Sequence, residues 1–334
     1  MKGLTEFLDA CYEAIAKQKA AIGDTIDNVD TSTASIISGS ETVVLTGCGD
    51  SLAAAEYGKW VFLSQGINAL VVSPPEVKRL SLDDASALIA VSASGRSLTT
   101  IDALRKAGEM GASTILLTDN PEGSAAEHAE TVWVTKSHVT SHDISPSSPT
   151  TTAMAYLLIV AHSIEGEHED LAEDLEILKS KGEQILAWAE EEGKKIAQII
   201  RPESRLYLIS EGPNYVAAQI GMCKVNEYSL TFASTILTEE FRHHYVLAVE
   251  DGDSAIVISD SDTNMTRYMK ALKDALGIHA HHLKTDDELG LSTSLSQVIP
   301  NSIALQMAAY YAVLEHQPDK KGWKKPNVSA FEIY

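Results

Sequence analysis

Short apolar runs at Thr42 to Thr46, Ala69 to Val72, Ala87 to Val91, Thr114 to Leu117 and Thr131 to Val134 alternate with helical patterns at about Ser51 to Leu63 and Leu98 to Met110. Strand alternating with helix means a parallel sheet flanked by helices. A helical span from Met154 to about Ile200, rich in Glu, Lys and Ala, leads to Arg201-Pro202-Glu203, and there the grammar restarts. Strands are expected at Arg205 to Ser210, Ser254 to Ile258 and His279 to Leu283, with helices at Tyr215 to Tyr228, Thr263 to Leu276 and Asn301 to His316. The economical fold is α/β, with two doubly wound units in tandem, each built on a five-stranded parallel sheet. Expected boundaries are an N-terminal helical region over 1–40, a first domain over 41–165, a helical linker over 166–200, a second domain over 201–316 and a tail over 317–334.

With 334 residues the chain can bury a large core and hold two domains of ordinary size. Its 47 acidic and 26 basic residues give a formal charge of −21. Nucleic acid and anionic membranes are repelled by such a surface, so any small anion has to be captured locally, by amide dipoles and hydroxyls. The N-terminus lacks an apolar signal region, no stretch approaches the ~20 apolar residues of a membrane span, and Cys11, Cys48 and Cys223 form no close pair. These features predict a soluble cytoplasmic protein with free thiols.

The turn Val91-Ser92-Ala93-Ser94-Gly95-Arg96-Ser97 carries most of the functional information. It joins an apolar strand to a helix and sets Ser92, Ser94 and Ser97 beside unpaired N–H groups at the positive end of a helix dipole, where a phosphate sits well. A plain helix N-cap is the competing reading. The two halves align at their turns: Thr46-Gly47-Cys48-Gly49-Asp50-Ser51 matches Ile209-Ser210-Glu211-Gly212-Pro213-Asn214, and Ser92 to Ser97 matches Ser259-Asp260-Ser261-Asp262-Thr263. Asp260 and Asp262 would oppose a phosphate. One working phosphate pocket is therefore expected, in the first half, from Gly49, Ser51 and the Ser92 to Ser97 turn.

The Gly-Cys-Gly-Asp-Ser and Ser-x-Ser-Gly-x-Ser turns resemble those of the sugar isomerase (SIS) domain, a flavodoxin-like fold, and the tandem arrangement resembles the isomerase half of glucosamine-6-phosphate synthase and its fructosamine deglycase and amino-sugar deaminase relatives. Gly221-Met222-Cys223-Lys224-Val225-Asn226-Glu227 resembles that family's Ala-Leu-Lys-x-Lys-Glu helix, and Glu240-Phe241-Arg242-His243 its Glu-Leu-Lys-His segment. Gln317-Pro318-Asp319 with Trp323-Lys324-Lys325 resembles the tail whose lysine enters the sugar site. The resemblance implies an aldose–ketose isomerase acting on a phosphorylated or otherwise anionic sugar, with or without amine release. Glu227 would move the proton between adjacent carbons through an enediol or enolamine. His243 would open the sugar ring, and reaches a neighbouring subunit's site in relatives. Lys325 would face the developing enediolate. Lys224, Glu240 and Ser148 would line the site, although which of Ser145 to Ser148 aligns is open. A homodimer with shared sites and no cofactor is implied; a non-catalytic phosphosugar sensor is the alternative.

Each candidate has a plainer rival. Glu227 with Lys224 reads as a solvated i, i+3 pair, His243-His244 as surface, and Lys325 as a solvated charge. His279, His281 and His282 resemble a metal tract but sit on a strand, with His281 and His282 on opposite faces, so no metal is expected. His138, Ser141, His142 and Asp143 lack a nucleophile elbow, and Gly47 and Gly49 lack the rest of a dinucleotide fingerprint. The chain begins Met1-Lys2-Gly3 and reaches its first strand by Thr42, so a glutaminase domain like that of the synthases is not expected. Ala93 and Arg96 replace the family's frequent Gln and Glu, and Arg96 adds a positive fork for a second oxyanion or a different anion.

Overall fold

The computed structural model describes residues 5–142, 147–164, 169–324 and 331–334. In chain order the elements are α1 (Glu6–Ala16), α2 (Gln18–Asn28), α3 (Ala34–Ser38), β1 (Thr42–Thr46), α4 (Asp50–Ser64), β2 (Ala69–Val71), β3 (Ser86–Val91), α5 (Leu98–Glu109), β4 (Ser113–Thr118), β5 (Thr131–Val134), α6 (Ser147–His162), α7 (Glu169–Ser180) and α8 (Gly182–Ala197). There follow β6 (Leu206–Ser210), α9 (Tyr215–Glu227), β7 (Ala233–Leu237), α10 (Thr238–His243), β8 (Ser254–Ile258), α11 (Met265–Lys270), β9 (His279–Leu283) and α12 (Ser294–His316). The chain divides into two compact units, one of residues 17–182 with the C-terminal residues and one of residues 1–16 with 183–324.

In the unit of residues 17–182 all five strands are parallel in the order β2-β1-β3-β4-β5. β3 is buried along its whole length, which is why it reads as a continuous apolar run instead of an alternating one. Val44, Leu88 and Leu116 on one face of the sheet form a core with Ala103, Leu104 and Ala107 of α5. α6 is buried on every side, so its sequence shows no polar stripe. The order reverses between β1 and β3, and the crevice at the carboxyl ends of those two strands is where an open α/β sheet binds ligands.

The other unit repeats the strand order with one member fewer: β7-β6-β8-β9, four parallel strands and not the five expected. Beyond β9 the sequence Lys284-Thr285-Asp286-Asp287-Glu288-Leu289-Gly290 offers no apolar run to pair with it. Instead Lys284 binds Asp262 and Asp287, both at 2.9 Å, while residues 287–289 make a 3-10 turn and Thr285 donates to Asn301 Oδ1 at 3.0 Å, leading the chain into α12. The sequence also gives little sign of β7, because Ser234 and Thr235 interrupt its apolar pattern and are only half-buried. α12 begins at Ser294 and continues through Pro300. Proline removes one helix hydrogen bond, but this helix is packed on α9 and α1, and burial outweighs the break.

Among the described residues no helix is long and apolar enough to cross a membrane. All three cysteines are unbridged thiols.

Candidate functional site

The β1–α4 and β3–α5 turns meet at the crevice between β1 and β3. Gly49 adopts φ 57° and ψ −128°, a conformation open essentially to glycine alone, and this lets the chain turn sharply into α4. A side chain at Gly47 would come within 2.7 Å of the Ser51 backbone. Gly95 (φ 63°) sits against Gly123, whose added Cβ would lie 2.7 Å from the Gly95 Cα. Asn120 Nδ2 donates to the Ser94 carbonyl at 2.9 Å and the Ala125 N–H to the Gly95 carbonyl at 2.8 Å, so the loop after β4 holds the serine turn in place.

A cavity of about 100 Å³ results, with Ser51, Ser92, Ser94 and Ser97 among its lining residues. Ser92, Ser94 and Ser97 are buried, at 4%, 9% and 8% exposure. Ser97 is the N-cap residue of α5 by position, yet its side chain makes no capping hydrogen bond. Its hydroxyl lies 3.8 Å from Cys48 Sγ and 3.5 Å from Thr99 Oγ1. That hydroxyl makes no bond to its own helix terminus, and the first turns of two helices of 15 and 12 residues open on the same crevice.

Other sequence candidates of this unit fall outside the cavity lining. Arg96 is exposed, its guanidinium 5.7 Å from the Tyr334 ring. Ser148 is wholly buried and donates to the Ser137 carbonyl at 2.8 Å, a contact internal to the fold. Ser145 lies outside the described residues. Sequence reasoning missed Cys48, Thr100, His142, Ile333 and Tyr334, all of which line the cavity. The tail pair is fixed there by the Leu98 N–H, which donates to the Ile333 carbonyl at 3.2 Å.

In the other unit Glu227 closes α9. Lys224 Nζ lies 3.1 Å from Glu227 Oε2, with 1% of the lysine side chain exposed against 38% of the glutamate's, so the pair is anchored in the core and is not the solvated surface pair of the plainer reading. Asn226 exchanges two 3.0 Å hydrogen bonds with Ala233, tying the end of α9 to the start of β7. Burial pushes the Cys11 thiol up to about 11, with Tyr228 and Lys224 opposing that rise. The tail segment reaches this helix end: Gln317 Nε2 donates to the Ser229 carbonyl at 3.1 Å, and the Trp323 ring lies 5.6 Å from Tyr228 and 4.9 Å, edge-on, from Phe7. Lys325 lies outside the described residues.

Glu240 and His243 sit on α10 with 56% and 74% of their side chains exposed. His243 faces Glu239 at 3.7 Å, and Glu240 faces His244 at 3.4 Å. His279, His281 and His282 lie on β9, where His281 contacts Glu192 at 2.5 Å and His282 the Ser259 hydroxyl at 2.8 Å.

Residues 36–161, which contain both turns and all of the cavity lining except Ile333 and Tyr334, match the SIS domain family. Over 295 residues the chain is 23% identical to the glutamine–fructose-6-phosphate aminotransferase (isomerizing) of Sulfurisphaera tokodaii, covering 85% of this chain and 49% of that protein. Over 289 residues it is 27% identical to the aminotransferase of the same name from Aquifex aeolicus, covering 80% and 48%. The chain thus spans about half the length of these curated relatives. Two solved structures share its fold: the C-terminal domain of the Francisella tularensis glucosamine-fructose-6-phosphate aminotransferase (TM-score 0.77, 18% identity, 91% of this chain and 95% of that one) and the Thermotoga maritima glucosamine-6-phosphate deaminase (0.75, 18%, 93% and 97%). The tagatose-6-phosphate ketose/aldose isomerase of Escherichia coli is similar at TM-score 0.70 and 18% identity, covering 96% of this chain and 97% of that one.

Proposed function

We propose that the protein is an aldose–ketose isomerase of a phosphorylated sugar, with or without release of an amine from C1 or C2. The observation that carries this reading is the SIS cavity, where three buried serine hydroxyls, one of them at a helix N-cap yet not capping, meet the first turns of α4 and α5. Such a site offers an oxyanion group hydroxyl and amide donors held locally, which suits a chain whose net charge is −21.

Isomerisation moves a proton between C1 and C2, and one carboxylate serving both carbons first removes it and then returns it. Glu227 is the proposed carrier, its carboxylate held by the buried Lys224 ammonium. His243 is the proposed ring-opening acid and Lys325 the proposed charge beside the enediolate, with Glu240 and Lys224 lining the site; these roles rest on the family resemblance. A second SIS-like unit over residues 201–316 is supported by the shared strand order. A homodimer with shared sites is proposed from the resemblance alone.

Fructose 6-phosphate, glucosamine 6-phosphate and a fructosamine 6-phosphate, each incubated with the protein while aldose, ammonia and free amine are followed, test the reading. Turnover of any one names the reaction. Binding without turnover of all three would reassign the protein as a sensor.

A further inference from the structure

Asp119, just past β4, and His142 stand 23 residues apart in sequence and meet in space: His142 Nε2 is 3.2 Å from Asp119 Oδ2. The Asp119 carboxylate is fixed in its turn, accepting from the Ser137 N–H at 3.0 Å, from the Ser137 hydroxyl at 2.5 Å and from the Thr135 hydroxyl at 3.1 Å. A carboxylate that is an acceptor throughout this network obliges Nε2 to carry its hydrogen, so it sets both the tilt and the tautomer of the ring. The oriented imidazole then lines the serine cavity.

No lysine or arginine lines that cavity among the described residues, and Arg96 lies outside it against Tyr334. Asp50, 5% exposed, adds negative charge to the lining. A phosphate dianion entering there meets hydroxyls, amides and one acid, and among the described lining residues His142 is the basic side chain positioned to offset both charges. We propose that His142, held by Asp119, is a substrate-binding residue whose imidazolium donates a charged hydrogen bond to the phosphate of the bound sugar. This rests on the reading of the cavity as a phosphosugar site. Asp119 is then a positioning residue. Asp119, just past β4, contacts the ring, and the other titratable groups lining the same cavity are Asp50 from α4, the Cys48 thiol from the β1–α4 turn and Tyr334 from the tail.

The sign follows from the chemistry. A protonated imidazole binds the anion, so its contribution is greatest at acid pH and fades as the ring gives up its proton. The test is calorimetric binding of fructose 6-phosphate, and of inorganic phosphate as a competitor, from pH 5.5 to 8.5. The wild type is compared with His142→Gln, Asp119→Asn and the double variant Ser94→Ala/Ser97→Ala. His142→Asn replaces the glutamine variant if a melt shows the latter to be unfolded.

Phosphate ionisation is common to all these proteins and cancels in affinity ratios. His142→Gln is expected to bind about tenfold to a hundredfold more weakly than wild type at pH 6, with the ratio narrowing toward pH 8.5. Asp119→Asn is expected to shrink the same pH-dependent ratio without moving the alkaline affinity. Superimposable wild-type and His142→Gln curves, with the double serine variant impaired, would overturn this assignment and leave the cavity reading standing. A wild type that binds neither ligand would overturn both.

Discussion

Lys224 Nζ and Glu227 Oε2 are 3.1 Å apart one helical turn from each other, and the lysine is buried where the glutamate is partly open to solvent. The core thus supplies a fixed positive charge to a carboxylate that still faces outward. That is an unusual position for a lysine, since burying an ammonium is tolerated only with a partner.

Replacing Lys224 should separate stability from chemistry. Lys224→Ala is expected to lower unfolding stability by about 2–4 kcal/mol, from the cavity and the lost pair. Lys224→Met should restore most of that stability, because an apolar side chain of similar volume fills the space, while turnover stays impaired. Thermal melts alongside steady-state rates check this; equal rates for Met and Lys would remove Lys224 from the site.

Glu227→Gln keeps the shape and removes the proton acceptor. Turnover is expected to fall by about 10²–10⁴ with sugar-phosphate affinity nearly unchanged. Full activity in this variant would refute the proposed proton carrier.

Each of Ser94→Ala and Ser97→Ala should weaken sugar-phosphate binding by about 1.5–3 kcal/mol, the range for hydrogen bonds to a charged group. Because the Ser97 side chain does not cap α5, Ser97→Ala should leave the melting temperature almost unmoved. A drop of the size typical of a lost cap, about 1 kcal/mol, would mean that the hydroxyl serves the helix instead.

Acid stability offers a check in the other unit. Burial alone would raise the Glu192 carboxyl, but hydrogen bonds from His281 and Lys195 outweigh it and hold the group below its ordinary value. A depressed carboxyl contributes stability above its unfolded pKa of about 4.3, and that contribution is lost as pH falls through the folded value. Glu192→Gln should therefore be less stable than wild type near pH 7 and converge with it only once pH has fallen through the depressed folded value, as read by denaturant titrations at several pH values.

Much of the first sheet is legible in the sequence because its strands are short apolar runs between turns: β1 and β5 fall on Thr42–Thr46 and Thr131–Val134 as expected. β7 is hidden by Ser234 and Thr235, and the first turns of α12 by Pro300, where tertiary packing overrides local preference. The serine turn and Glu227 could be singled out because each lies within one short motif. His142 could not, since the carboxylate that gives it meaning lies on another strand end, and nothing local distinguishes it from His138. The contact of Tyr334 with the cavity is equally silent, being made by a chain end against a turn more than 200 residues away.

Gly95 and Gly123 touch back to back, each occupying the volume in which the other would carry a methyl group. The shape of the serine turn is consequently set from behind, by a residue outside the cavity lining. Any enlargement at position 123 would push on the Gly95 backbone, so the loop after β4 governs the form of the cavity wall without itself lining it.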